Sequence, residues 1–275
     1  MARRRDPVTE RHKLSPSAIS TFLKSPKSFY YRYKVGIEPI QQSVTTFDEA
    51  KLCGQLWSEF VDYFYRGTSE EENTTRMLTA WQEQTQGWVP EKAKDRLTKA
   101  MESWAASYYQ MFRPDDGVRI ASEVKVENDR FQGYLDGISA DKVIHEVKST
   151  SRSPQLDGQL WKIQRSIQVK LYSVLAEATG ICIEIAFKDP PYAIYRSQVL
   201  DVTKAERDTW EAELNGLADY IYSLGDDPNN YPCNPDSCCL VTRGVTSMCS
   251  YFPLCSDGLT DENRIAYKDR QTNRK

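Results

Sequence analysis

Nowhere is the sequence apolar for the roughly 18 residues that a membrane-spanning helix needs. No apolar segment follows the basic N-terminus MARRRDPVTERHK, so it does not read as a secretory signal. No internal repeat is present. A large charge of one sign is missing too: 36 Lys+Arg face 39 Asp+Glu, a net charge of -3. The chain is therefore no general coat for nucleic acid, and any such contact must be local. An even cysteine count is also lacking. Seven cysteines without a signal argue against a secreted disulfide framework and for a cytoplasmic protein. These absences exclude a membrane protein, a collagen-like chain and a small disulfide scaffold. They leave an enzyme open.

What is present is a globular composition, 40% hydrophobic and 27% charged over 275 residues. That length can bury one large domain or two small ones. Residues 1–34 hold nine Lys+Arg against Asp6 and Glu10. Such a segment is either a phosphate-binding surface or a solvated tail with a basic helix face. Ser15-Pro16 reads as an N-cap with proline at the first helical position, opening a helix over 16–33. Further helices are expected over 46–66, from about 69 to before Gly87, and from Pro90 to Phe112, where Pro114-Asp115-Asp116-Gly117 is a stop. The period then changes to that of strands over 118–127, 130–138 and 142–149. A helix over 159–179, strands over 181–187 and 192–200, and a helix over 203–224 complete the pattern. The expected organisation is a basic tail over 1–14, one α/β domain over 15–258 and a polar tail over 259–275. Within the domain, 45–113 is helical, 118–200 is the core and 231–258 is Cys-rich. A mixed sheet flanked by helices follows.

Three successive strands carry acids: Glu123, Asp136, and Glu146 with Lys148. Residues two apart on a strand share a face, so Glu146 and Lys148 point together while His145 and Val147 point away. His145 reads as structural, and His12 falls in the basic tail. Asp136 reaches the Glu146 face through a three-residue loop, Ser139 to Asp141, or through a bulge at Gly137. If the carboxylates meet, two hard oxygen donors suit Mg²⁺ or Mn²⁺. The alternative is that Glu146 and Lys148 form a solvent-facing pair. Glu123 reads either as a further site carboxylate or as a surface residue.

Four segments in this order resemble the PD-(D/E)XK nucleases, in particular their RecB-type and phage exonuclease branch. LSPSAISTFLKSPKSFYYRY resembles the branch's opening helix, GYLDGI its Gly-x-x-Asp motif, HEVKST its Glu-x-Lys motif, and QVKLY its Gln-x3-Tyr motif. The resemblance implies a restriction-endonuclease-like α/β core. It implies Asp136, Glu146 and the Val147 carbonyl as metal ligands and Lys148 as the catalytic lysine. Gln168 and Tyr172 would support the site, with Trp161 and Arg165 extending their stripe along a groove. Lys24, Lys27, Tyr30, Arg32, Tyr33 and Arg152 are candidate DNA contacts.

Two departures stand out. The branch often has Gly-x3-His in an early helix, but after Gly54 this chain has Ser58, with Glu59 next as a substitute oxygen ligand. Iron–sulfur members use a Cys before a Pro in the opening helix, where Ser25-Pro26 stands here. Cys233, Cys238, Cys239, Cys249 and Cys255 could still hold a [4Fe-4S] cluster, hold zinc, or remain free thiols. The implied function is a Mg²⁺- or Mn²⁺-dependent deoxyribonuclease, an exonuclease of phage or bacterial recombination and repair, acting on DNA with or without a recombination partner protein. The alternatives are a non-catalytic DNA-binding or assembly subunit of the same fold and an iron–sulfur protein without nuclease activity.

Overall fold

The computed structural model describes residues 13–39, 49–86, 89, 91–113, 121–151, 156–234, 239–242, 245–248, 251, 253–254 and 258–269. They cluster into two compact units. The larger comprises Val44–Asn128 and Gln132–Ala212, and the smaller comprises Met1–Ser43, Asp129–Phe131 and Glu213–Lys275.

The larger unit is built on a mixed sheet. Strands β2 (Ala121–Glu127), β3 (Gln132–Ile138) and β4 (Val143–Thr150) form an antiparallel meander. Strand β5 (Gly180–Phe187) runs parallel to β4, with β6 (Ile194–Arg196) and β7 (Leu200–Asp201) antiparallel to it. The strand expected over 192–200 is thus two short pieces. A parallel pair needs a crossover, supplied by helices α6 (Leu156–Gln164) and α7 (Ile167–Leu175). Every residue of β5 is buried, as for a strand covered on both faces. On one face lie helices α3 (Glu49–Tyr65), α4 (Glu70–Thr85) and α5 (Glu91–Met111). They pack Trp57, Phe60, Phe64, Trp81, Trp104 and Tyr108 with Val147 and Ala186. On the other face, Val169 and Tyr172 of α7 pack with Leu135, Ile144, Ile181, Ile183 and Ile185.

The helix expected over 159–179 is broken at Arg165-Ser166. Ser166 has extended backbone, and its hydroxyl accepts from the Val169 N–H, so it starts a new helix rather than continuing the old one. Trp161 and Arg165 therefore share no continuous helix face with Gln168 and Tyr172. The β3–β4 loop also differs from its expected position. Ser139 N–H donates to the Val143 carbonyl at 2.9 Å and closes a loop over Ala140–Lys142, one residue later than read from sequence. Lys142 sits at φ +61°, the left-handed residue that such a loop requires.

In the smaller unit the helix expected over 16–33 is divided too. Helix α1 (Pro16–Lys24) ends at Ser25, whose hydroxyl caps α2 (Pro26–Phe29) by accepting from Ser28 N–H. A π-helical turn, Tyr30–Val35, then ends on Gly36 at φ +77°. Residues 261–269, read as polar tail, instead form a capped helix (Asp261–Arg264) and a strand, Tyr267–Asp269, paired with β1 (Ile37–Pro39). Tyr231 and Tyr251 pack against aromatic residues of the opening segment, Phe29 on Tyr231 and Tyr31 on Tyr251, and Tyr267 stacks on Tyr251 in turn. A hairpin, β8 (Cys239–Thr242) with β9 (Val245–Met248), was not expected. Helix α8 (Lys204–Ser223) begins in the larger unit and ends in the smaller. Among the described residues no helix is long and apolar enough to cross a membrane.

Candidate active site

The site lies where β3 and β4 part. Their ladder pairs Gly137 with His145 and Ile138 with Ile144. Continued one step, that register sets Asp136 across from Glu146. The ladder stops there, and Asp136 Oδ2 instead accepts from the Val147 N–H at 2.8 Å. The carboxylate thus replaces a strand partner and is pinned to the backbone it faces. Strand alternation breaks at this point, because Leu135 and Ile138, three apart, pack into the same cluster. No residue is inserted: the β2–β3 offset is the same at Val124–Leu135 and Ser122–Gly137. The distortion is shared with Glu123, across from Asp136 in that register, which takes φ +49°. Three residues in the loop and this kink together bring Asp136 to Glu146.

Glu146 is only 2% exposed, and Lys148 Nζ lies against its carboxylate. Lys148 Nζ also donates to Gln168 Oε1 at 3.4 Å. Burial, with the Asp136 charge adding to it, pushes the Glu146 carboxyl up to about 7, against the opposing pull of Lys148. Burial works against the Lys148 charge, but Glu146 and Asp136 outweigh it and hold the amine above its ordinary value. Lys148 is therefore an ammonium at neutral pH, a hydrogen-bond donor and a positive charge rather than a ready base.

Two of the motifs interlock. Gly133 lies under the Tyr172 ring: a Cβ there would stand 2.3 Å from Tyr172 Cε1. The missing side chain lets Tyr172 lie flat on β3, where its hydroxyl accepts from Tyr134 N–H at 3.4 Å. Burial and the nearby Glu146 raise the Tyr172 hydroxyl above its ordinary value, so it stays protonated. The glycine of Gly-x-x-Asp thus seats the tyrosine of Gln-x3-Tyr, three residues from the acid.

The other candidates fall elsewhere. Glu59 is exposed on α3, lining a cavity between α3 and α4 with Leu56, Phe60 and Tyr63, and is not brought to Asp136 and Glu146. Glu123 is exposed. Trp161 and Arg165 are exposed on and just after α6. In the smaller unit Lys24 is exposed, Lys27 Nζ donates to the Pro228 carbonyl, Tyr30 OH donates to the Asp226 carbonyl, and Arg32 lies 5.7 Å from the Tyr33 ring. Lys27 and Tyr30 thus tie the opening segment to the residues after α8. Arg152, Cys238, Cys249 and Cys255 lie outside the described residues, while Cys233 is exposed and Cys239 pairs across the hairpin with Met248. A cluster or zinc ligand set is not assembled among the described residues.

Sequence reasoning missed a buried network on the opposite face. His145 Nδ1 lies 3.3 Å from Glu184 Oε1, Tyr108 OH donates to Glu184 Oε2 at 2.7 Å, and Arg196 Nη2 lies 3.5 Å from the same oxygen. The available signal was one acid inside the apolar run GICIEIAF.

Asp136, Glu146 and the Val147 carbonyl are hard oxygen donors of the kind that Mg²⁺ and Mn²⁺ take, so the donor chemistry fits a divalent ion. Among the described residues no group of three or more His, Cys, Asp or Glu side chains has metal-binding geometry, so the fit rests on two carboxylates and a backbone oxygen.

No curated protein matches the chain. Among solved structures, a candidate exonuclease from Eubacterium rectale is 14% identical, with a TM-score of 0.49 over 82% of this chain and 85% of that one. LHK-Exo in complex with dAMP is 14% identical, with a TM-score of 0.32 over 63% and 92%. The model of the PD-(D/E)XK nuclease superfamily matches residues 13–256, which contain all four motifs and both units' main elements. This chain belongs to the PD-(D/E)XK nuclease superfamily.

Proposed function

We propose that the protein is a divalent-metal-dependent deoxyribonuclease working as an exonuclease in DNA recombination or repair. One observation carries the reading: Asp136, Glu146 and Lys148 converge at the point where β3 and β4 separate, with Asp136 fixed by the Val147 N–H. In this reading Asp136, Glu146 and the Val147 carbonyl hold the ion. When bound, the ion supplies positive charge to the phosphoryl oxygens as negative charge builds there. Lys148 donates hydrogen bonds to the attacking water and to the phosphate. Gln168 holds Lys148, and Tyr172 holds the wall against which both are set. The water oxygen bonds to phosphorus, the bond to the leaving oxygen breaks, and a water proton ends on that oxygen.

Ser58, at the place of the branch's usual histidine, favours a second reading: a DNA-binding subunit that has lost catalysis. End-labelled linear, nicked and circular DNA incubated across a Mg²⁺ and Mn²⁺ series separates the two. The nuclease reading expects nucleotide release from linear DNA and little from closed circles. Binding without release under every metal condition would favour the second reading.

A further inference from the structure

Helix α6 buries none of its residues fully, and its Leu156, Leu160 and Ile163 rest only partly on the core. On its outer side stands Trp161, 57% exposed, with the Arg165 guanidinium 4.9 Å from the ring centre. Trp161 and Arg165 thus form a cation–π pair on the surface, with a large aromatic ring in solvent. The cation fixes the ring's orientation and leaves the remaining ring surface to be covered by something else.

Position and charge say what that is. Trp161 precedes Gln168 by seven residues. At about 1.5 Å of rise per residue, and allowing for the break at Ser166, the two Cα atoms lie roughly 10–15 Å apart. That is about three or four phosphate steps of a stacked strand at ~3.4 Å each. Gln168 in turn touches Lys148. From α6 through α7 the sequence has Lys162, Arg165 and Lys170 against one acid, Asp157, in a chain whose net charge is -3. Glu206, at the start of α8, lies near enough to Arg165 to offset part of that charge. An open ring with excess positive charge around it suits a polyanion that has flat aromatic groups. An acidic protein surface would satisfy the charges but not the ring.

We propose that Trp161, oriented by Arg165, is a stacking ledge for an unpaired base of the substrate, so that the strand approaches the site single-stranded. This rests on the nuclease reading for the identity of the substrate as DNA. It goes beyond that reading in naming the strand state and the residue that selects it. Bases inside a duplex have both faces covered by their neighbours, so only unpaired nucleotides can stack there.

The test is tryptophan fluorescence of the full-length protein in EDTA, which needs no catalysis. Of the six tryptophans Trp57, Trp81 and Trp104 are fully buried, Trp161 is exposed, Trp210 is half-buried and Trp88 lies outside the described residues, so the quench is assigned by its loss in Trp161→Phe. A single-stranded 12-mer should quench wild type, and a relaxed, covalently closed circular duplex, which has no unpaired base, should quench at least fivefold less at equal nucleotide concentration. Trp161→Phe should lose the quench while keeping binding measured by anisotropy of a labelled oligonucleotide. Trp161→Ala should weaken that binding at least fivefold, as loss of one base–aromatic stack does. Both substitutions are at an exposed site, so the melting temperature should stay that of wild type. Equal quenching by the closed duplex, quenching that survives Trp161→Phe, or unchanged affinity in Trp161→Ala would each overturn the proposal. Silence toward both DNA forms would also overturn it and leave the ring as a protein contact. A protein that passes these tests yet releases no nucleotide with any metal keeps the ledge and loses the catalytic reading.

Discussion

Gly133→Ala is the smallest change that tests how the site is assembled. The added Cβ would stand 2.3 Å from Tyr172 Cε1 and 3.1 Å from both Cζ and the hydroxyl oxygen. Carbon atoms in contact settle at about 3.5–4.0 Å, so the ring must retreat by more than about 1 Å. Tyr172 is 6% exposed and packed with Leu135, Ile144 and Val169, which leaves it little room. Overpacking of this kind costs about 1–3 kcal/mol. Replacing a strand glycine returns roughly 0.5–1 kcal/mol through the unfolded chain. The expected net loss is about 1–2 kcal/mol, a fall of a few degrees in melting temperature for a chain of this size. The shift moves α7, and with it Gln168 and the Lys148 contact, so nuclease activity should fall about tenfold or more. The assay is urea denaturation with a double-mutant cycle against Tyr172→Leu, which removes the ring. Coupling between the two changes should reach at least ~1 kcal/mol. A Gly133→Ala protein as stable and active as wild type, with no coupling, would refute the claim that the two motifs interlock.

Metal-free stability should depend on pH through Glu146. Its folded value of about 7 lies above the ordinary 4.5, so the folded state holds the proton in between. The stabilisation is complete below about pH 4.5 and fades as pH rises through 7; thermal melts in EDTA should show that fall, and Glu146→Gln should lack it. Lys148→Met leaves a buried carboxylate without its cation. It should cost about 2 kcal/mol at pH 8, after discounting for the partial exposure of Lys148, and less at pH 5, where Glu146 is protonated. Glu184→Gln removes the counter-charge of half-buried Arg196 and should destabilise by about 2 kcal/mol, read by urea denaturation. Tyr251→Phe removes its bond to the Ile37 carbonyl and should cost about 1 kcal/mol.

The strands that carry Asp136, Glu146 and Lys148, and the helical segment that carries Gln168 and Tyr172, were legible because each motif is local and its strand or helix pattern is strong. Their convergence was only partly legible. The sequence pattern required Asp136 to change face, but not that Asp136 would take over a backbone partner from the ladder or that Glu123 would absorb part of the kink. The continuous stripe from Trp161 to Tyr172 failed because one capping serine outweighed an apolar periodicity that suits one helix or two equally. The same happened at Ser25. The ion pair of Glu184 was invisible, since its partners come from α5, β4 and β6, far apart in sequence. Gly133 looked like a motif position; its reason lies 39 residues away in the Tyr172 ring.

The central claim is that Asp136 and Glu146 hold one divalent ion between them. Calorimetric titration of Mn²⁺ into wild type, Asp136→Asn and Glu146→Gln tests it most directly. The account predicts one site in wild type, with affinity rising as pH passes 7, and its loss in both variants while their folded spectra persist. Unchanged Mn²⁺ binding in either variant would contradict it.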